Sequence, residues 1–180
     1  MTLRVHLGCG KRDFGSGWFH VDGANFPHIK HHDILDLPFA TESVDLIYAC
    51  HVLEYFDRFE VGGVLSMWRA FLRPGGTLRL AVPDFDVIAR LYVSGAIKLE
   101  QALGPLYGRM PMNEVTIYHR TAYDFASLNS VLQIAGYTNI RRYDWRKTEH
   151  ARFDDHSQAY IPHMDKEKGT LISLNVECIR

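Results

Sequence analysis

The sequence predicts a three-layer α/β domain: a mostly parallel sheet between helices, with an antiparallel last strand. Three observations predict it. Short runs rich in branched and aromatic residues, Leu3 to Leu7, Trp18 to Val21, Val44 to Ala49 and Thr77 to Val82, are each bounded by glycine, proline or aspartate. The first, third and fourth are apolar at nearly every position, as strands covered on both faces are, and helical patterns follow the third and fourth. The last two runs, Thr138 to Trp145 and Leu171 to Ile179, alternate apolar with polar residues, which predicts an antiparallel pair closing one edge.

His28 to His32 reads as a further short strand. Between Phe59 and Leu72, Val64, Leu65, Trp68, Phe71 and Leu72 recur at helical spacing, and "RPGG" at Arg73 to Gly76 turns the chain into the next strand. A helix is expected after "PDFD", capped by Asp84 and running through Leu91. Thr121 and Asp124 form a T-x-x-D pattern like a capping box ahead of the stripe Phe125, Leu128, Leu132 and Ala135, and Gly136 is the stop.

With 180 residues, 47% of them hydrophobic, the chain is sized for one domain spanning 1–180. A net charge of -1 gives no global field for a nucleic acid or a membrane surface. The start lacks the pattern of a secretory signal and no later run is long enough to span a bilayer, so a cytoplasmic location is expected. Cys9, Cys50 and Cys178 are odd in number and far apart, which fits free thiols better than a disulfide framework or a zinc site.

The first strand runs straight into a glycine turn: "LRVHLGCGKRDFGSGWFHVDG", Leu3 to Gly23. In a doubly wound sheet the ligand lies beyond the carboxyl ends of the strands, beside the first. Gly8 and Gly10 would let the backbone take positive φ there and let a ligand approach bare main chain. Asp22, ending the second strand, is placed to accept from two ribose hydroxyls, so the pair points to a nucleoside-containing ligand. The spacing of Gly8, Gly10 and Gly15 is not G-x-G-x-x-G, and there is little room for a helix to hold a pyrophosphate, which argues against a dinucleotide.

Next comes "HHDILDLPFATESVDLIYACHVLEY", His31 to Tyr55. With Gly8 to Gly10, Asp22, Asp33, "LPF" at Leu37 to Phe39, "VDLIYA", "HVLEY" at His51 to Tyr55 and "FLRPGGTLRLAVPD" at Phe71 to Asp84, the chain resembles the class I methyltransferases that use S-adenosylmethionine. The resemblance is close over residues 3–84 and looser beyond. It implies a Rossmann-like methyltransferase fold. It further implies that Leu7, Gly8, Cys9 and Gly10 line the methionine part, that Asp22 with Gly23 beside it holds the ribose, and that Asp33, Ile34 and Leu35 receive the adenine. Cys50 and His51 would face the methionine end and the acceptor. Two departures stand out: the helix after the glycine loop is missing, which leaves a shallower cleft or one completed by a second copy in a homodimer, and the family's second histidine of H-V-L-E-H is Tyr55.

Methyl transfer from a sulfonium rests on in-line positioning, and an oxygen acceptor also has to lose a proton. His119, before the Thr121 cap and after "GRMPMNEVTIYH", and His51, with Glu54 as a partner at i+3, are the candidate catalytic residues. Cys9 fills a tight turn. Arg146 to Gly169 is expected as a lid-like loop whose Asp154, Asp155, His156, Tyr160 and His163 can meet a polar acceptor or a divalent metal. In "HIKHHD", His31 and His32 point to opposite faces of a strand and do not share an ion. The reading is S-adenosylmethionine-dependent O-methylation of a small-molecule or saccharide acceptor. A non-catalytic binding or scaffold module and a nucleotide-dependent oxidoreductase are the alternatives.

Overall fold

The computed structural model describes residues 2–112 and 114–180. Strands β1 (Arg4–Leu7), β2 (Phe19–Val21), β3 (Ile29–His31) and β4 (Val44–Cys50) come first, then α1 (Val61–Phe71) leads directly into β5 (Leu72–Pro83). Helices α2 (Phe85–Val93) and α3 (Leu99–Tyr107), the small hairpin β6 (Met110–Met112) and β7 (Val115–Ile117), and α4 (Phe125–Ile134) follow. The chain ends with β8 (Thr138–Arg142), the two-residue strands β9 (Tyr160–Ile161) and β10 (Thr170–Leu171), and β11 (Ser173–Ile179). The main sheet has the order β3-β2-β1-β4-β5-β11-β8. Neighbours from β3 to β5 are parallel, while β11 inserts antiparallel between β5 and β8. This is the expected mostly parallel Rossmann-like sheet with an antiparallel last strand.

After a register irregularity between Val44 and Leu46, strand periodicity divides β4. Val44, Ile47 and Ala49 join the core under α1 and α4, whereas Leu46, Tyr48 and Cys50 belong to a second cluster on the other face. The first face has a conventional helical cover: Leu65, Trp68, Leu128 and Leu132 are fully buried, each side chain contributing about 1.5–3 kcal/mol by leaving water. Trp68 also donates its indole N–H to the Ile34 carbonyl at 2.8 Å, which pins the segment after β3 onto α1.

The second face carries no helix between β1 and β2. Residues 8–18 form turns instead, with Phe14 and Trp18 laid against Tyr48. His6, His20 and His150 complete an aromatic layer, in which His150 stacks on Phe14 at 5.3 Å and 9°. His150 comes from the segment expected as a lid. That segment, 146–169, is a wall for much of its length: Tyr48 donates its hydroxyl to Asp155 Oδ2 at 2.7 Å, Asn175 donates to the Ser157 carbonyl at 2.8 Å, and Asp155, Ser157 and Gln158 are buried. The physical reason is coverage, since without a helix after β1 the apolar underside of β1 and β4 has to be closed by something else. Asp154, His156 and His163 stay exposed.

Asp124, not Thr121, caps α4. Its carboxylate accepts from Ser127 N–H at 2.7 Å and the Ser127 hydroxyl closes the reciprocal bond, while Thr121 spends its hydroxyl on the Phe56 carbonyl at 2.8 Å. Asp84 caps α2 as expected. Among the described residues, no helix is long and apolar enough to cross a membrane.

Candidate functional site

The glycine turn after β1 is held from below. Gly8 and Gly10 have φ of +64° and +54°. A Cβ on Gly8 would lie 2.2 Å from Val52 Cγ2, so this glycine lets the loop seat against the segment after β4. A Cβ on Gly10 would meet nothing within 4 Å, so there is open space beside it, while its carbonyl lies 3.0 Å from His28 Nε2. Gly8 N–H donates to the Val21 carbonyl at 2.8 Å, tying the turn to the end of β2.

Asp22 holds the geometry together. Its Oδ2 accepts from Gly10 N–H at 2.7 Å and its Oδ1 from Ala24 N–H at 2.8 Å, so the expected ribose acceptor also fixes the loop. Each carboxylate oxygen takes more than one donor, which leaves capacity toward the cleft. Asp33 Oδ1 accepts from the amides of Leu35 and Asp36, and that turn presents the rest of an exposed carboxylate. Beside Leu35 the surface opens into a groove of about 460 Å³ along Tyr55, Phe56, Val64, Met67 and Arg120. Met112 of the small hairpin lies over the turn after β2, with its sulfur 3.6 Å from where a Gly23 Cβ would stand. Nothing in the sequence pattern foretold that hairpin.

Two expected contacts change character. The Cys50 side chain lies in the aromatic layer with Phe14, Trp18 and Tyr48, so only its backbone is available to the cleft. Cys9 is fully buried beside His28, Sγ to Nε2 3.8 Å, and burial pushes its thiol up to about 12, so it stays protonated as the inert filler of a tight turn. His31 and His32 bond separately, to the carbonyls of Asp36 and Asp22.

At the end of β4 the structure gathers the candidate acid–base groups. His51 sits in the left-handed region at φ 54°, held by its N–H bond to the Ala81 carbonyl at 2.8 Å. A 3-10 turn, Leu53–Tyr55, then brings Glu54 Oε1 within 3.2 Å of His51 Nδ1, close but not aligned as a hydrogen bond. His119 arrives from the far side. Arg120 and Thr121 donate their N–H groups to the Glu54 carbonyl at 2.7 and 3.2 Å, and His119 Nε2 comes to 3.8 Å from the same Oε1. Its Nδ1 is 3.1 Å from the Pro105 carbonyl, its ring meets Tyr55 edge-on at 4.8 Å, and it packs so closely on Gly108 that a Cβ there would lie 2.0 Å from Nε2.

Burial sets the protonation. It raises Glu54, which is fully buried, to about 8, and lowers His51 and His119 below the usual histidine value. His156, His119 and Arg12 lower His51 further, opposed by a bond to the His156 backbone. Near neutral pH the cell therefore holds a carboxylic acid between two uncharged imidazoles. His156 reaches it from the wall segment, its ring 5.1 Å from that of His51, and Arg12 Nε donates to the neighbouring Asp154 carbonyl at 2.8 Å. The pairing of His51 with Glu54 was visible in the spacing; the arrival of His119 required the fold.

A family described as methyltransferase domain matches residues 16–80. No curated protein sequence matches the chain. Among solved structures, a SAM-dependent methyltransferase from Archaeoglobus fulgidus is 12% identical with a TM-score of 0.59, over 99% of this chain and 86% of that one. The 1,6-didemethyltoxoflavin-N1-methyltransferase of Burkholderia thailandensis, solved with 1,6-didemethyltoxoflavin and S-adenosylhomocysteine bound, is 13% identical with a TM-score of 0.58, over 99% and 70%. A putative methyltransferase complexed with the Trm112 activator of Haloferax volcanii is 16% identical with a TM-score of 0.53, over 99% and 81%. The fold of this chain is that of S-adenosylmethionine-dependent methyltransferases.

Proposed function

From that fold and the matched domain, we propose that this chain is an enzyme that moves a methyl group from S-adenosylmethionine to an oxygen of a small polar acceptor, with saccharides as the leading class. The observation that carries the reading is the meeting, at the carboxyl ends of β1, β2 and β4, of open space beside Gly10, the carboxylate of Asp22 and the imidazole of His51.

The residues present fit the cofactor. The open space beside Gly10 suits the methionine portion, with Leu7, Gly8 and Cys9 forming its floor. Asp22 keeps lone pairs for vicinal hydroxyls beside Gly23, and Leu35, which follows Asp33 and Ile34 in the chain, lines a groove roomy enough for a purine. When bound, S-adenosylmethionine supplies an electrophilic methyl on a sulfonium.

The chain's own work is alignment and proton removal. His51 Nε2 is buried without a partner among the described residues, and it is the group we assign to take the proton of an acceptor that reaches it. Its depressed basicity keeps it uncharged and ready near neutral pH. His119 stands behind Glu54 and supports His51 rather than touching the acceptor. The polar rim of Arg12, Asp154, His156 and His163 favours a hydroxylated acceptor over an apolar one.

Calorimetric titration with S-adenosylhomocysteine, followed by methyl transfer across a panel of sugars and small alcohols, tests this. Asp22→Asn should weaken S-adenosylhomocysteine by about 1–3 kcal/mol, the cost of removing a charged acceptor from ribose hydroxyls. Unchanged affinity removes Asp22 from the site, and no binding to the wild-type chain removes the enzyme reading.

A further inference from the structure

Glu54 is a costly residue in the described fold. It is fully buried and neither carboxyl oxygen has a hydrogen bond among the described residues, which costs roughly 1–3 kcal/mol per unsatisfied group. A buried structural carboxylate is usually paired with a cation. Arg120 instead gives Glu54 only its backbone N–H and turns its side chain outward to Glu60, 3.1 Å away. Titratable groups surround that bare carboxyl: His51 and the Cys50 thiol from the end of β4, His119 from the loop after β7, and the Tyr55 and Tyr123 rings, with the Tyr123 hydroxyl also unpartnered. His156 and Arg12 face His51 from the wall segment and the glycine turn.

We propose that Glu54 is a proton relay, passing the proton that His51 removes from the acceptor to His119. The proposal rests on the methyltransferase reading and adds a residue and a path to it. Tautomers give the path its direction. The Pro105 carbonyl can only accept, so His119 Nδ1 carries hydrogen and Nε2, facing Glu54, is bare. A carboxylic acid on Glu54 thus has one imidazole lone pair to donate to and can accept from His51 Nδ1–H. That leaves the buried Nε2 of His51 without hydrogen, the form a base needs.

The step balances. The acceptor's O–H bond breaks and its electron pair forms the bond to the methyl carbon, while the pair of the C–S bond leaves with sulfur. The released proton binds His51 Nε2, the Nδ1 proton moves to Glu54, and the Glu54 proton moves to His119 Nε2. Nothing is oxidised or reduced. The positive charge lost from sulfur reappears on His119. Both contacts to Oε1, at 3.2 and 3.8 Å, have to shorten for the transfer.

Infrared and 15N NMR titrations of the full-length chain, free and with S-adenosylhomocysteine, test the relay. A carboxylic-acid C=O band should be present at pH 7, titrate with a midpoint near pH 8 and vanish in Glu54→Gln, while His119 shows the Nδ1–H tautomer. In His119→Gln the Glu54 midpoint should move by at least half a pH unit, because a relay requires the groups to be coupled. An ionised Glu54 at pH 7, an Nε2–H tautomer at His119, or a midpoint indifferent to His119→Gln overturns the proposal. The wild-type tautomer and band decide the matter even if a variant does not fold. Failure of S-adenosylhomocysteine to bind would instead strike the methyltransferase reading, and leaves these titrations readable.

Discussion

The aromatic layer beneath β1 and β4 makes stability depend steeply on pH, and His150 is where the size can be worked out. Its ring is fully buried between Phe14 and Tyr48, and neither nitrogen has a partner among the described residues. Burial lowers it from the usual 6.5 to about 4, only partly opposed by Asp155 and Glu149, and Arg79 lowers it further. The folded pKa is below the unfolded one, so the unfolded chain binds the extra proton. Stability is full above about pH 6.5 and is lost as pH falls toward 4. Between pH 7 and pH 5 this one residue should remove about 2 kcal/mol, and His6 and His20, also lowered by burial, add losses of the same sign. His150→Phe keeps the stacking and removes both unpaired nitrogens. Urea unfolding followed by tryptophan fluorescence at pH 7 and pH 5 should give a variant at least as stable as wild type at pH 7, with about 2 kcal/mol less of the loss on acidification. If wild type and variant lose equal stability between the two pH values, His150 is not held neutral by burial and the reasoning fails.

Three further outcomes are expected. Gly8→Ala should destabilise by roughly 2–5 kcal/mol, because it adds left-handed strain to a clash with the stiff Val52 side chain, whereas Gly10→Ala should cost about 1–2 kcal/mol from strain alone and act mainly on S-adenosylhomocysteine affinity; denaturation and calorimetry separate the two. Gly108→Ala should push the His119 ring off Glu54 and shift its imidazole NMR signals with the sheet amides unmoved. Tyr48→Phe should cost about 1–3 kcal/mol in urea unfolding, since buried Asp155 loses its hydroxyl donor.

The strands, the glycine turn and the helix between β4 and β5 were legible because local pattern determines them: branched runs with glycine or proline ends, and Val64, Leu65 and Trp68 at helical spacing. What escaped depends on contacts between distant segments. Thr121 and Asp124 are equally competent caps by residue type, and the choice falls to Asp124 only because the Phe56 carbonyl claims the threonine. Cys50 faces away from the cleft because β4 alternates from Leu46 onward, and Leu46, Tyr48 and Cys50 share the face of the aromatic layer. The hairpin Met110–Ile117 has a proline and exposed residues at most positions, which no strand pattern captures. Segment 146–169 read as a free loop because its polar residues look solvated, yet several of them hydrogen-bond underneath the sheet.

The wall closes the sheet with chain from the opposite end of the sequence. Arg12 meets Asp154 across 142 positions and Tyr48 meets Asp155 across 107. During synthesis, therefore, the glycine turn is made early but acquires its support only when the last part of the chain arrives, and such long-range closure slows folding. Until then Phe14, Trp18 and Tyr48 lie bare on an unfinished sheet, a sticky intermediate that a C-terminal truncation before His150 would make permanent.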